Sequence, residues 1–221
     1  MTAADFVPVG GVSLDGLRAA AASCKGCGLF ENASQTVFSR GPANAPVIFV
    51  GEQPGDIEDR RGQPFVGPAG KLLDRAVEAA GLDPALVYTT NAVKHFKFTM
   101  SGPGKRRIHA TPDISEIGAC RPWLVAEFQV LDPRIVVALG AVAARALLGP
   151  AFRVTKSRGV LLPWPASAGE PRDFQRPEGD VRTPAYALAT LHPSAVLRAD
   201  NQDEAFASLV ADLAVVAGAL L

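Results

Sequence analysis

Three cysteines are too few to close a set of disulfides. They therefore read as free thiols or ligands in a reducing compartment. No apolar run is long enough to cross a bilayer, so no membrane association is expected. The N-terminus, Met1-Thr2-Ala3-Ala4-Asp5, lacks a basic segment followed by an apolar one, and no signal peptide is expected. A cytoplasmic protein is the resulting expectation. Neither sign of charge prevails, since 22 Lys and Arg face 22 Asp and Glu. A polyanion-binding surface spread over the whole molecule is thereby excluded, and local clusters have to decide that question. Nor is there a dinucleotide or P-loop glycine spacing. What is present is a chain of 221 residues, 48% hydrophobic. That is enough for one α/β domain over residues 1–221 with a full core, and too apolar for a disordered chain.

One stretch organises the rest. Val47-Ile48-Phe49-Val50 reads as a buried strand. The polar loop Gly51-Glu52-Gln53-Pro54-Gly55-Asp56 follows, running on to Pro64-Phe65-Val66-Gly67, and then a helix from Lys71. Ligands of open α/β sheets bind at the carboxyl ends of strands, which is where this loop begins. Glu52, Asp56, Glu58 and Asp59 supply carboxylates there, and Phe65 a flat ring. Val87-Tyr88-Thr89-Thr90 is a second strand, ending in Asn91. Arg134 to Leu139 is a third, followed by a short helix from Gly140 to Leu148. Tyr186 to Leu191 is the last, ending in His192-Pro193-Ser194 with Arg198 close behind. Glu52, Asn91 and His192 thus share one sheet edge and can line one pocket. Asn91 offers a donor beside an acceptor, which suits the edge of a pyrimidine ring.

Between these elements the spacing predicts an alanine-rich helix over 13–23 with Ser13 as N-cap. A second helix begins at Thr111-Pro112, with Thr111 as N-cap and Pro112 at N1. Ile114, Ile117, Leu124, Phe128 and Leu131 are spaced along it for one buried stripe, and it carries Cys120 and a kink at Pro122. Val154 to Leu162 reads as extended, and the proline-rich residues 163–184 as a surface excursion. The C-terminal helix buries Phe206, Leu209, Val210, Leu213, Val216 and Leu220.

Cys24-Lys25-Gly26-Cys27 has ligand spacing for zinc or an iron–sulfur cluster. A thioredoxin-like redox pair is the other functional reading, but such pairs follow a strand, and this one follows a helix. From Lys94 to Arg107 the chain has Lys94, Lys97, Lys105, Arg106 and Arg107 and no acidic residue. Phe96 and Phe98 interleave with them, and Ser101-Gly102-Pro103-Gly104 lies between. This reads as an exposed flexible loop for phosphates and bases, ending in His109.

Five motifs in order carry a resemblance. They are Gly51-Glu52-Gln53-Pro54-Gly55, Pro64-Phe65-Val66-Gly67, Thr90-Asn91-Ala92-Val93-Lys94, Val137-Ala138-Leu139-Gly140 and His192-Pro193-Ser194. From about Cys24 to Arg198 the chain resembles the family 4 uracil-DNA glycosylases. The resemblance implies a three-layer α/β/α domain with a central, mainly parallel four-stranded sheet and a [4Fe–4S] cluster. It also implies hydrolysis of the N-glycosidic bond of uracil flipped out of DNA. The family's third cysteine falls where this chain has His95, so the implied ligands are Cys24, Cys27, His95 and Cys120. A three-cysteine site and a Cys₃His zinc site remain rivals.

The insertion Lys105-Arg106-Arg107-Ile108-His109 resembles the signature loop of the UdgX branch. It implies that His109 stays joined to the abasic sugar after uracil leaves. Glu52, Asn91 and His192 would be catalytic with it, Glu52 accepting a hydrogen bond from the imidazole. Gln53, Asp56, Asp59 and Phe65 would join Asn91 in binding substrate. Lys105, Arg106, Arg107, Ser194 and Arg198 would contact DNA, single-stranded DNA in preference. A nucleoid-associated monomer is expected. A conventional turnover glycosylase and a non-enzymatic iron–sulfur DNA-binding module are the alternatives.

Overall fold

The structure is a computed structural model and describes residues 1–102, 106–164 and 185–221. Its centre is four parallel strands: β2 (Val47–Gly51), β3 (Val87–Asn91), β6 (Ile135–Leu139) and β8 (Ala185–Thr190). Two short antiparallel strands extend this sheet, β1 (Ser39–Arg40) beside β3 and β7 (Leu162–Trp164) beside β8. The spatial order is β1-β3-β2-β6-β8-β7. The expected four parallel strands are therefore the core of a mixed six-stranded sheet. A two-residue strand leaves no periodicity to read, which is why β1 is missed from sequence. A separate hairpin pairs β4 (Phe98–Met100) with β5 (Arg107–His109). Among its described residues the basic stretch therefore contributes the two short strands of a β-ribbon, where the sequence predicts a flexible loop.

Strand side chains alternate between two apolar layers. Ile48, Val50, Val136 and Ala138 face one cluster with α1 (Leu14–Ala21), α4 (Ile114–Leu131) and α5 (Gly140–Leu148). Val47, Phe49, Ile135, Val137 and Leu139 face the other, with α3 (Pro68–Ala79) and α8 (Gln202–Gly218). Burial of the sheet on both faces explains why its strands read as unbroken apolar runs. In α8, Leu209, Leu213 and Val216 are fully buried, and Phe206, Val210 and Leu220 pack against them at the margin.

Three local readings are corrected. Asp113, not Thr111, caps α4: its carboxylate accepts the Glu116 N–H, and Glu116 reaches back to the Asp113 N–H. This reciprocal box starts the helix two residues later than the Thr-Pro pair suggests. Val154 to Leu162 is not extended: it holds α6 (Val154–Ser157), and strand geometry begins only at Leu162. The polar loop after β2 contains α2 (Asp56–Arg61), stopped by Gly62 at φ 70°. Asp56, Glu58 and Asp59 in its first turn complement the helix dipole. Most of the proline-rich excursion lies outside the described residues.

Candidate active site

The order β3-β2-β6-β8 sets the strand ends in a row: Asn91, then Glu52, then Gly140, then His192. They open into a pocket of about 490 Å³ that is also lined by Gln53, Phe65, His109, Ser194 and Arg198. The structure thus brings Glu52, Asn91 and His192 to one place, as expected from their strand ends, and Phe65 and His109 line the same pocket.

The pocket fits its contents tightly. A methyl on Gly51 would stand 2.3 Å from Asn91 Oδ1 and 2.7 Å from Phe65 Cζ. Phe65 has φ 55°, a left-handed backbone rare for a bulky residue. The segment is held at its back by Gly70, where a Cβ would meet the Phe65 carbonyl oxygen at 1.8 Å. Glu58 pins it in front, accepting the N–H groups of Gly55 and Gly67 at 3.0 Å each. Glu58, read from sequence only as one more carboxylate of the loop, is a positioning residue. Its signal was the acid three residues after Gly55, at N3 of an unrecognised helix.

Two buried oxygens in the pocket, Asn91 Oδ1 and Glu52 Oε1, have no hydrogen-bond partner among the described residues. A buried acceptor left open in a site is a place for a ligand donor. Burial raises the Glu52 carboxyl above its ordinary value, with Arg145 and Arg198 opposing.

His192 is fixed in one tautomer. Ser194 donates its backbone N–H to Nδ1 at 3.1 Å, with its hydroxyl 2.8 Å away. Nδ1 is therefore the acceptor, and the proton sits on Nε2. Burial, His109 and Arg198 push His192 down to about 4, so it is a neutral N–H donor at physiological pH.

His109 is held differently from the expectation. Its Nε2 stands 3.7 Å from Glu52 Oε1, beyond hydrogen-bond length. The nearer partner is Gln53 Nε2 at 2.9 Å. Gln53 cannot be turned around, because its Oε1 accepts the Lys97 N–H at 2.8 Å. Its amide nitrogen shares two hydrogens among Lys97 O, Ala110 O and His109 Nε2. His109 Nε2 is consequently the acceptor, its lone pair engaged by the Gln53 amide, and its proton is on Nδ1. Burial and Arg198 lower the His109 pKa, which keeps the ring neutral.

Asp56 and Asp59, expected to bind substrate, hold the hairpin instead. Arg107 donates Nε to Asp56 and Nη1 to Asp59 at 2.7 Å. Its guanidinium lies 5.3 Å from the Phe96 ring and 4.9 Å from the Phe98 ring. Asp59 is fully buried and also accepts the Ser34 N–H at 3.0 Å. Arg107 is thus a clamp rather than a DNA contact. Lys97 is likewise paired with Glu116 at 2.8 Å, and Lys94 with Glu127 at 2.5 Å in the core. Phe96 is buried and stacks on Phe98. Arg106 is exposed and Arg198 lines the pocket; Lys105 lies outside the described residues.

The three cysteines come from the segment after α1 and from α4. Cys24 and Cys120 are buried and Cys27 half-buried. Trp123 Nε1–H donates to Cys24 Sγ and the Lys94 N–H to Cys120 Sγ, each at 3.2 Å. Sulfurs held by N–H donors suit a thiolate-ligated cluster. Burial pushes the Cys120 thiol up to about 12, so without a cation it is neutral. Among the described residues no three of His, Cys, Asp and Glu close on one point, as a single metal ion requires. The Cys₃His zinc site is therefore not formed here. His95 is buried, and its Nε2 lies 2.9 Å from the Thr36 hydroxyl, which leaves Nδ1 as its remaining ligating atom.

Among the described residues no helix is long and apolar enough to cross a membrane. The uracil DNA glycosylase superfamily profile matches residues 38–214. The type-4 uracil-DNA glycosylase of Pyrobaculum aerophilum is 36% identical over 176 residues, 80% of each chain. That of Sulfurisphaera tokodaii is 36% identical over 157 residues, 69% of this chain and 67% of its own. That of Thermotoga maritima is 36% identical over 142 residues, covering 64% and 69%.

Proposed function

The chain belongs to the uracil DNA glycosylase superfamily, and we propose that it excises uracil from DNA and then keeps the abasic sugar through a bond to His109. The position of His109 carries the second half of this reading. A neutral imidazole lines the same space as Asn91, Glu52 and His192, and turning away from the Gln53 amide frees its Nε2 lone pair for that space.

Uracil enters by flipping out of the strand, which is least costly from single-stranded DNA. Phe65 stacks on the ring. Asn91 Oδ1 takes the N3–H of uracil, a hydrogen that cytosine lacks. As the bond from C1′ to N1 breaks, its electron pair leaves with uracil. The His192 Nε2–H donates to the ring oxygen where that charge collects, a preorganised electrostatic contribution. Glu52 faces the cationic sugar. His109 Nε2 gives its electron pair to C1′ before water does, because it is already in place. The ring becomes an alkylimidazolium beside Glu52, and its Nδ1 proton passes to solvent as the uracil anion takes one up. Such a ring is a poor leaving group, so turnover stops at one uracil per protein.

Cys24, Cys27 and Cys120, with His95 through Nδ1, would hold a [4Fe–4S] cluster that ties the N-terminal segment to α4. That group is structural in this reading and supplies no step. The protein acts as a monomer, since the pocket is complete within one chain.

Incubation with a uracil-containing single-stranded oligonucleotide, followed by a denaturing gel, tests the reading. The parent protein is expected to give a shifted band that survives boiling in detergent. His109→Ser is expected to release uracil without that band. A persistent band in His109→Ser removes His109 as the attachment point. Many uracils released per parent molecule would establish ordinary turnover.

A further inference from the structure

The pocket accounts for one flipped nucleotide, but a strand must also leave it. Beside the pocket runs a groove of about 1000 Å³ between the start of α4 and the outer side of α5. It shares Thr111 and Val142 with the pocket wall, so the two are continuous. The groove has two kinds of lining. On the α4 side Ile114, expected in the buried stripe of that helix, is instead 89% exposed at its first turn, beside Pro112 and Ile117. A large apolar side chain left in water at the first turn of a helix serves neither the core nor the cap. Across from it stands Arg145 of α5, exposed, with Arg121 further along.

Among the described residues lining the groove, the one acid is Asp113. Its carboxylate is occupied by the Ser115 hydroxyl, the Glu116 N–H and the Lys97 ammonium. The surface therefore offers an apolar platform facing cationic side chains, the pair of features that holds a base and its phosphate. Arg145 already belongs to the field of the pocket, since it opposes the rise in the Glu52 pKa.

We infer that this groove is the track for the nucleotides flanking uracil on one side, with Ile114 under a base and Arg145 on a phosphate. The inference rests on the glycosylase reading for which nucleic acid enters the pocket. It adds a second contact region outside the pocket and the hairpin. It also accounts for how a protein with no net charge would bind a polyanion, through the local charge of Arg145 beside the site.

The test separates the groove from the chemistry. Fluorescein-labelled single-stranded oligonucleotides carrying thymine in place of uracil report binding by anisotropy without excision. A trinucleotide and a strand several times longer are compared for the parent protein, Ile114→Glu and Arg145→Gln. Ile114→Glu is suited to the purpose, because the position is exposed and a carboxylate in the first helical turn is favourable. The parent is expected to bind the longer strand roughly tenfold tighter than the trinucleotide, and each variant to lose most of that margin. Ile114→Glu should leave trinucleotide binding as it was. Equal parent affinity for both lengths overturns the inference. So does a parent-like margin in both variants, which is also the result if the groove serves a protein partner. Uracil release is measured alongside: its absence from the parent would overturn the glycosylase reading, while the length comparison still decides the groove.

Discussion

At the scale of single residues, the pocket is defined by what it lacks room for. Gly51→Ala would place a methyl group against both Asn91 Oδ1 and the Phe65 ring. A displacement of about an ångström there is expected to slow single-turnover uracil release about a hundredfold. Release at the parental rate would mean that Asn91 and Phe65 do not grip the base as described. His192 carries a pH signature. Its folded pKa is about 4, against an ordinary value of 6.5. Between these values the unfolded chain binds the proton and the folded one does not, so stability falls as pH falls through that window. A thermal melt series from pH 7 down to 4.5 is expected to show a flatter decline for His192→Gln than for the parent. Parallel curves would remove His192 as the source. Glu52, Asn91 and His192 were legible because strand ends converge by topology alone. The role of Gln53 was not, since it depends on the backbone of residues 97 and 110, brought there by a hairpin that no short-range pattern announces.

At the scale of elements, Arg107 clamps the hairpin of β4 and β5 to α2. Arg107 joins two carboxylates of α2 and packs on two phenylalanines. Arg107→Ala leaves Asp59 buried without its cation, and a loss of about 3 kcal/mol in urea unfolding is expected. The same substitution frees β5, so the yield of cross-linked DNA should fall by more than the rate of uracil release. Arg107→Lys is not expected to restore it, because an ammonium cannot reproduce the forked, stacked geometry. Full cross-linking in Arg107→Ala would show that β5 positions His109 unaided. The sequence announced the basic residues and the acidic ones separately. Their pairing was hidden because α2 looked like a loop, interrupted by Pro54-Gly55 before it and Gly62 after it. A run of cations with no anion nearby in sequence reads as a free surface until the fold supplies the anions.

At the scale of the whole molecule, two apolar layers on a twice-buried sheet were legible from the unbroken strand runs and the helical spacing of α8. One polar network inside them was not. Lys94 and Glu127 pair in the core, 1% and 0% exposed, with the Tyr88 and Thr90 hydroxyls on the same carboxylate. Lys94→Met leaves Glu127 as an uncompensated buried charge, and a loss of roughly 3–5 kcal/mol is expected in urea unfolding. Adding Glu127→Leu to it should recover part of that loss. If the double variant is no more stable than the single one, the cost lies in packing rather than in charge.

The two outer strands also bear on the behaviour of many copies together. Among the described residues the sheet ends in β1, two residues long, and β7, three residues long with Pro163 at its middle. Two residues give an incoming chain too little backbone to zip onto, and proline has no N–H to offer. Four parallel strands, two of them rich in valine and isoleucine, would form a fibre-prone ribbon if their flanks lay open. Short, interrupted margins close that route, so the protein should remain dispersed at high concentration without relying on net charge for repulsion.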